Sequence, residues 1–296
     1  MRTELEDFIL YLATERGLSD NYQLSTRRSL ETFADWAEKT AGISEVGAVV
    51  LSHLHDFLAH RKRLGLAAAS IKLEVVAVKI FFRWLAARNR IAFDPADVLP
   101  LPRIERYLPE TLNELEVEQL LDAVDLNAER GLRDRAMIEL LYASGLRAAE
   151  LVGARLENLD FDNRFIRVTG KGNKTRIVPV GTKACEAIRN YLEKERPQFV
   201  SKRTGSHIFL NRFGKGMTTA RLWQIVSETA KRAGLHAGIY PHLLRHSFAT
   251  HLLSGGADLR IIQEMLGHAD ISTTEIYTHV EQSRLKDTHM KFHTRG

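Results

Sequence analysis

The chain carries one cysteine, Cys185, in 296 residues, so no intramolecular disulfide can form and packing alone must hold the fold. A reducing compartment and an inert, structural thiol are expected. No apolar run reaches the roughly 18 residues of a membrane span. The N-terminus, Met1-Arg-Thr-Glu-Leu-Glu-Asp-Phe-Ile-Leu, is too acidic for a secretory signal, so a cytoplasmic location is expected. Carboxylates are missing from two stretches. Between Arg196 and Ser227 stand Arg196, Lys202, Arg203, Arg212, Lys215 and Arg221 with no acidic residue. Arg164, Arg167, Lys171, Lys174 and Arg176 likewise fall between Asp162 and Glu186 without one. The net charge is only +5, but two such runs point to a face that binds a polyphosphate.

Other chemistries are excluded by what is not there. His242 and His246 have the i,i+4 spacing of zinc helices, but Leu243 stands where His-Glu-x-x-His has its glutamate. Gly172-Asn-Lys174-Thr175 lacks the Gly-Lys-Thr order of a nucleotide phosphate loop. No Gly-x-Ser-x-Gly elbow occurs, and no tight acidic cluster lies near the basic runs to hold magnesium. Internal repeats, low-complexity tracts and heptads are also missing.

What is present predicts two domains and a mainly helical fold. Leu5, Phe8, Ile9 and Leu12 mark a first helix; Ser19 caps a second carrying Tyr22, Leu30, Phe33 and Trp36. Ser52 caps a third with Leu54, Phe57 and Leu58, and a fourth runs from Ser70 through Ile71, Val75, Val78, Phe82 and Leu85. These four form a bundle over 1–92. Pro95, Pro100, Pro102 and Pro109, four of the seven prolines, then predict a semi-extended linker over 93–106 and a second domain over 107–296. In that domain helices are expected at Leu115–Val124 and Arg133–Tyr142. Phe165-Ile-Arg-Val-Thr and Thr175-Arg-Ile-Val-Pro-Val read as strands of a hairpin around Gly170-Lys171-Gly172-Asn173-Lys174, and the remainder is helical apart from a loop near Ser201–Met217.

Four residues late in the chain invite a phosphate-handling reading. Pro241 suits the start of a helix whose first turn carries His242 and Arg245 on one face, where exposed N–H groups favour an anion. The buried side is assigned to Leu243, Leu244, Phe248, Leu252 and Leu253. Gly255-Gly256 ends that helix, Asp258 caps the next, and Gly267 stops it, leaving His268 beside a rigid turn. Ser272 caps a short helix bearing Tyr277. Earlier, Gly145 breaks a helix and aims Arg147 from the first turn of another, where the dipole repels a cation and a phosphate offers compensation. Each has an ordinary reading when taken singly: a surface helix, a structural donor, a half-buried core tyrosine, an Arg147–Glu150 ion pair.

Four blocks, in order, resemble the tyrosine recombinases and within them the Xer group. They are Gly145-Leu146-Arg147-x-x-Glu150-Leu151; Gly170-Lys171-Gly172-Asn173-Lys174; His242-x-Leu-Arg245-His-Ser-Phe-Ala-Thr-His-Leu-Leu; and Gly255-x-x-Asp258-Leu259-x-x-Ile-Gln263 continuing to Leu266-Gly267-His268-x-x-Ile271-Ser-Thr-Thr-x-x-Tyr277. The ending, Thr278-His279-Val280 and a basic helix, is closer to the XerD branch than to XerC. The resemblance implies a SAM-like helical core-binding domain and an α+β catalytic domain with a small sheet or hairpin, together clamping duplex DNA. It makes Tyr277 the nucleophile of a 3′-phosphotyrosyl intermediate. Arg147 and Arg245 clamp the non-bridging oxygens, His268 is a further donor, His242 serves the tyrosine oxygen as proton acceptor or donor, and Lys171 is the general acid. No metal or other cofactor is implied. It further implies a tetramer joined by the tail, Val280–Gly296, a XerC-like partner, an FtsK-type DNA translocase and chromosome dimer resolution at a dif-like site. His279, His289 and His293 in that tail receive no catalytic role. A mobile-element integrase is the alternative, although arm-binding integrases usually carry an added N-terminal module; a non-catalytic DNA-binding protein would need no nucleophilic tyrosine.

Overall fold

A computed structural model of the chain describes residues 1–102, 111–170, 175–236, 238–267 and 279–296, with the backbone alone at 21 and 279–281. The chain divides into two compact units, Met1–Arg106 and Tyr107–Gly296.

The first unit consists of α1 (Arg2–Thr14), α2 (Asp20–Lys39), α3 (Leu51–Arg63) and α4 (Ala68–Ala87). The i,i+3,i+4,i+7 stripe of Leu5, Phe8, Ile9 and Leu12 is buried as its period requires. Phe33 is the centre of the core, with its ring 5.2 Å from Phe57 and 5.9 Å from Phe82. Burying each such ring contributes about 2 kcal/mol. A buried fork between Arg61 and Glu74 (Nη2–Oε1 2.7 Å) joins α3 to α4.

Several local signals read differently in the fold. Tyr22 is 41% exposed and outside the core. The third helix starts at Leu51, ahead of Ser52, and the His53 ring nitrogen accepts from the Val50 N–H at 3.2 Å. The fourth starts at Ala68, because Ala68 and Ala69 are good helix formers and need no serine cap. Ala96 and Leu99 are buried in the first unit's core, and Lys79 donates to the carbonyls of Asp97 and Leu99, both at 2.8 Å. The segment after residue 92 therefore begins as part of the bundle, since a few apolar side chains outweigh the prolines' preference for extension.

The second unit runs α5 (Glu114–Asp122), α6 (Gly131–Ser144), α7 (Ala148–Val152), β1 (Leu159–Asp160), β2 (Phe165–Thr169), β3 (Thr175–Pro179), α8 (Thr182–Lys194), α9 (Thr219–Arg232), α10 (Pro241–Gly255), α11 (Leu259–Leu266) and α12 (His279–Phe292). A capping box starts α5: Asn113 Oδ1 accepts from Glu116 N at 2.9 Å, and Glu116 Oε2 accepts from Asn113 N at 2.8 Å. Every residue of α6 from Ala136 to Ser144 is buried, as befits a helix enclosed on all sides, and it packs on α8 and α10. The two expected strands pair antiparallel with Ile166 opposite Val178 and Val168 opposite Arg176, and the two-residue β1 adds an unforeseen third strand in the order β1-β2-β3. Positions 171–174 of the hairpin lie outside the described residues.

The last residues pack against their own unit. The His289 ring Nε2 lies 2.6 Å from the Ala143 carbonyl of α6, Thr294 Oγ1 is 2.9 Å from the Tyr142 hydroxyl, and Arg295 Nε is 3.4 Å from Glu139 Oε1. His293 is sandwiched between the rings of His289 (4.8 Å) and Phe248 (5.1 Å). Cys185 is buried, and burial raises its thiol pKa, in keeping with a structural role. No described helix is long and apolar enough to cross a membrane.

Candidate active site

Arg147, Arg176 and Arg245 converge on one carboxylate, that of Glu150. Gly145 ends α6 in the left-handed region (φ 56°), and Arg147 is the cap of α7, one residue before the first turn where the sequence placed it. Its backbone N–H donates to Glu150 Oε2 at 2.8 Å, and its Nη1 to Oε1 at 2.9 Å. The ion pair offered as the ordinary account of Arg147 is therefore real, but it occupies one side of the guanidinium. Arg176, from β3, forms a fork on the same carboxylate (Nη1–Oε1 2.7 Å, Nη2–Oε2 2.9 Å). Arg245 Nη1 stands 4.0 Å from Oε2.

These guanidiniums also hold three consecutive carbonyls at the C-terminal end of α11. Arg176 Nε donates to Met265 O at 2.7 Å, Arg245 Nη2 to Leu266 O at 2.6 Å, and Arg147 Nη2 to Gly267 O at 3.0 Å. A helix C-terminus leaves such carbonyls unpaired and carries partial negative charge, so cations are at home there. Arg245 donates from Nη1 to Gly145 O at 2.6 Å as well. Among these groups three positive charges face one negative, leaving two in excess. The Arg147 side chain is 39% exposed, against 7% for Arg176 and 8% for Arg245, so Arg147 is the most open of the three to an outside anion.

Electrostatics follow from this crowding. Burial pushes the Glu150 carboxyl up, but the Arg176 fork and Arg147 outweigh it, and the pKa falls to about 2. Burial, aided by Arg147 and Arg176, lowers Arg245 to about 10, still charged at neutral pH. His242, in the first turn of α10 behind Pro241, is held below the usual imidazole range by partial desolvation and then by Arg245, Arg147 and His246. The shift favours the neutral ring, the form that accepts a proton.

The structure thus brings Arg147, Arg245 and His242 to one place. Lys171, His268 and Tyr277 lie outside the described residues; the described stretch 238–267 stops directly before His268. Two assignments change. Leu253 is 51% exposed and belongs to the outer side of α10. Arg176, counted above among a binding face, is buried in the site. The signal was present: in the alternating strand Thr175-Arg-Ile-Val-Pro it shares the inward register with Val178. The second basic run also divides, since Arg196 is spent on the carbonyls of Ile208 (3.1 Å) and His207 (2.8 Å) while Lys202, Arg203, Arg212 and Lys215 are exposed.

Gly145 is needed for two reasons, its positive φ and the Phe248 ring, whose Cδ1 would lie 2.4 Å from an added Cβ. Gly145→Ala is expected to destabilise the second unit by about 2–4 kcal/mol, the sum of left-handed strain and overpacking. The midpoint of urea unfolding measures this; an unchanged midpoint contradicts the packing described.

Residues 110–284 match the model of the phage integrase family, and residues 5–89 match that of its N-terminal SAM-like domain. The chain is similar to tyrosine recombinase XerD of Listeria monocytogenes, with 41% identity over 100% of both chains, and to that of Staphylococcus aureus, with 39% over 100% of both. Among solved structures it resembles XerH site-specific recombinase bound to a palindromic difH substrate: 26% identity, a TM-score of 0.70, and coverage of 90% of this chain and 78% of that one.

Proposed function

We infer that this chain, which belongs to the phage integrase family, is a site-specific tyrosine recombinase that breaks and rejoins duplex DNA. The observation that carries the reading is the pairing of Arg147 and Arg245 at the end of α11, with two positive charges in excess and His242 near enough for both to lower its pKa. A phosphodiester is an anion that repels nucleophiles, and such a cluster stabilises the further charge of its pentacoordinate transition state. Each well-placed donor contributes about 3 kcal/mol.

Each residue has one task in the proposed step. Tyr277 Oη attacks phosphorus while the P–O5′ bond breaks. The phenolic proton passes to His242, because a free tyrosine with pKa about 10 attacks weakly. Arg147, Arg245 and His268 hold the non-bridging oxygens, and Lys171 delivers a proton to the departing O5′. The products are a 3′-phosphotyrosyl ester and a free 5′-hydroxyl. Attack by a 5′-hydroxyl from another strand reverses the step, so phosphodiester bonds are conserved without ATP or metal. The full-length similarity to XerD proteins supports a XerD-type role: a tetramer with a XerC-like partner, acting in the cytoplasm with an FtsK-type translocase on a dif-like site in chromosome dimer resolution. In that assembly Val280–Gly296 leaves its own α6, on which His289, Thr294 and Arg295 pack in the single chain, and docks on a neighbouring protomer.

The test is covalent trapping. A duplex nicked near the scissile phosphate loses its short 5′-hydroxyl fragment and cannot reseal, so the wild-type chain should remain attached in denaturing electrophoresis. No adduct on any duplex selected by binding from a random pool would overturn the proposal. Lys171→Ala should cleave about 100-fold more slowly, typical of a lost general acid. A bridging 5′-sulfur, which leaves without protonation, should restore most of the rate; failure to do so assigns Lys171 another role.

A further inference from the structure

We propose that Arg176 is a positioning residue for strand cleavage, acting through Glu150 on Arg147; this rests on the reading of Arg147 as a phosphate clamp. Arg176 touches no surface from which duplex DNA could be reached, its side chain being 7% exposed. Its nitrogens are nonetheless fully directed. The two terminal ones fork onto Glu150 at 2.7 and 2.9 Å, and Nε holds Met265 O at 2.7 Å. Its side chain also lies under the turn at Gly267, where an added Cβ would stand 2.9 Å from Arg176 Cδ.

The consequence concerns how one carboxylate is shared. With Arg176 on both oxygens, Glu150 meets the Arg147 side chain through a single Nη1–Oε1 contact of 2.9 Å, and Arg147 Nη2 is turned to Gly267 O at 3.0 Å. The guanidinium stays oriented, and its remaining N–H groups stay available to an anion. Without Arg176, a buried carboxylate, its side chain 4% exposed, would keep only Arg147 in hydrogen-bond contact, with Arg245 at 4.0 Å, and a bidentate pair with Arg147 would draw the fork off the phosphate. Met265 O would lose its donor two residues before the Gly267 turn. Lysine cannot substitute fully, since a single ammonium lacks the planar fork and the separate Nε donor.

The experiment uses the full chain and a nicked duplex selected from a random pool by binding. Arg176→Gln is expected to bind that duplex within about 2-fold of wild type yet form the phosphotyrosyl adduct about 100-fold more slowly, the scale of one misplaced electrostatic donor. Arg176→Lys should be intermediate. Adding Glu150→Gln to Arg176→Gln should recover about 10-fold, because neutralising the carboxylate releases Arg147 and the two substitutions are coupled. A residue with a merely structural role would weaken folding and binding together and gain nothing from Glu150→Gln. Cleavage by Arg176→Gln within about 3-fold of wild type, or no recovery in the double variant, overturns the proposal. Should Arg176→Gln not fold, Arg176→Lys with and without Glu150→Gln supplies the same comparison. An inactive wild type defeats the recombinase reading itself, whereas an active wild type matched by Arg176→Gln defeats only the role of Arg176.

Discussion

Tyr277→Phe binds the selected duplex as tightly as wild type and yields no covalent adduct. The expectation is chemical: the phenylalanine ring has no oxygen from which a phosphate ester can form, whereas the basic groups that carry duplex affinity are untouched. Affinity is to be measured by fluorescence anisotropy at fixed salt, because counterion release makes any unreferenced value meaningless. Adduct formation is followed by denaturing electrophoresis on the nicked substrate. An undiminished adduct in the Phe variant would move the nucleophile to another residue. Loss of binding along with the adduct would show that Tyr277 supports the fold instead.

Acid should loosen the second unit as pH falls below about 6.5. His289 is buried against Ala143 O, and burial lowers its pKa to about 4; His293, stacked on it, is likewise lowered by burial and by His289, His251 and Arg295. An unfolded imidazole titrates near 6.5. Between the two values the unfolded chain binds the extra proton, so stability is fully present above about pH 6.5 and is lost as pH falls toward 4. For His289 alone the loss from pH 7.5 to pH 5 is about 2 kcal/mol. Glu139, whose pKa burial raises despite Arg295 and Arg135, has the opposite sign and offsets part of the loss once protonated. Glu150, at about 2, contributes only at still lower pH. Urea midpoints at the two pH values and amide exchange within α12 report the effect, and His289→Gln, which keeps a donor for Ala143 O, should flatten it. A wild-type midpoint that does not change with pH contradicts a neutral, buried His289.

Local pattern carried a large part of this fold because local physics settled it. The Leu5, Phe8, Ile9 and Leu12 stripe, Pro241 at the head of α10, Asp258 accepting from Arg260 N at 2.7 Å, and the positive-φ stops at Gly256 and Gly267 all depend on neighbours within a few residues. Where reading failed, a distant partner had overruled a near one. Ala96 and Leu99 joined the bundle despite adjacent prolines. Tyr22 had the right spacing but no facing element to bury it.

The candidate site shows the same division. Spacing and residue type suggested a phosphate site around His242, Arg245, His268 and Tyr277, and the resemblance of four short blocks to the tyrosine recombinases added Arg147 and Lys171 as nominees. The order among the charges could not be read that way. Arg147, Arg176 and Arg245 reach Gly267, Met265 and Leu266 across separations of 120, 89 and 21 residues, and Glu150 joins Arg176 across 26. Only the folded chain decides which guanidinium is spent on a carboxylate and which stays open to an anion, because burial and charge competition exist only once these segments meet.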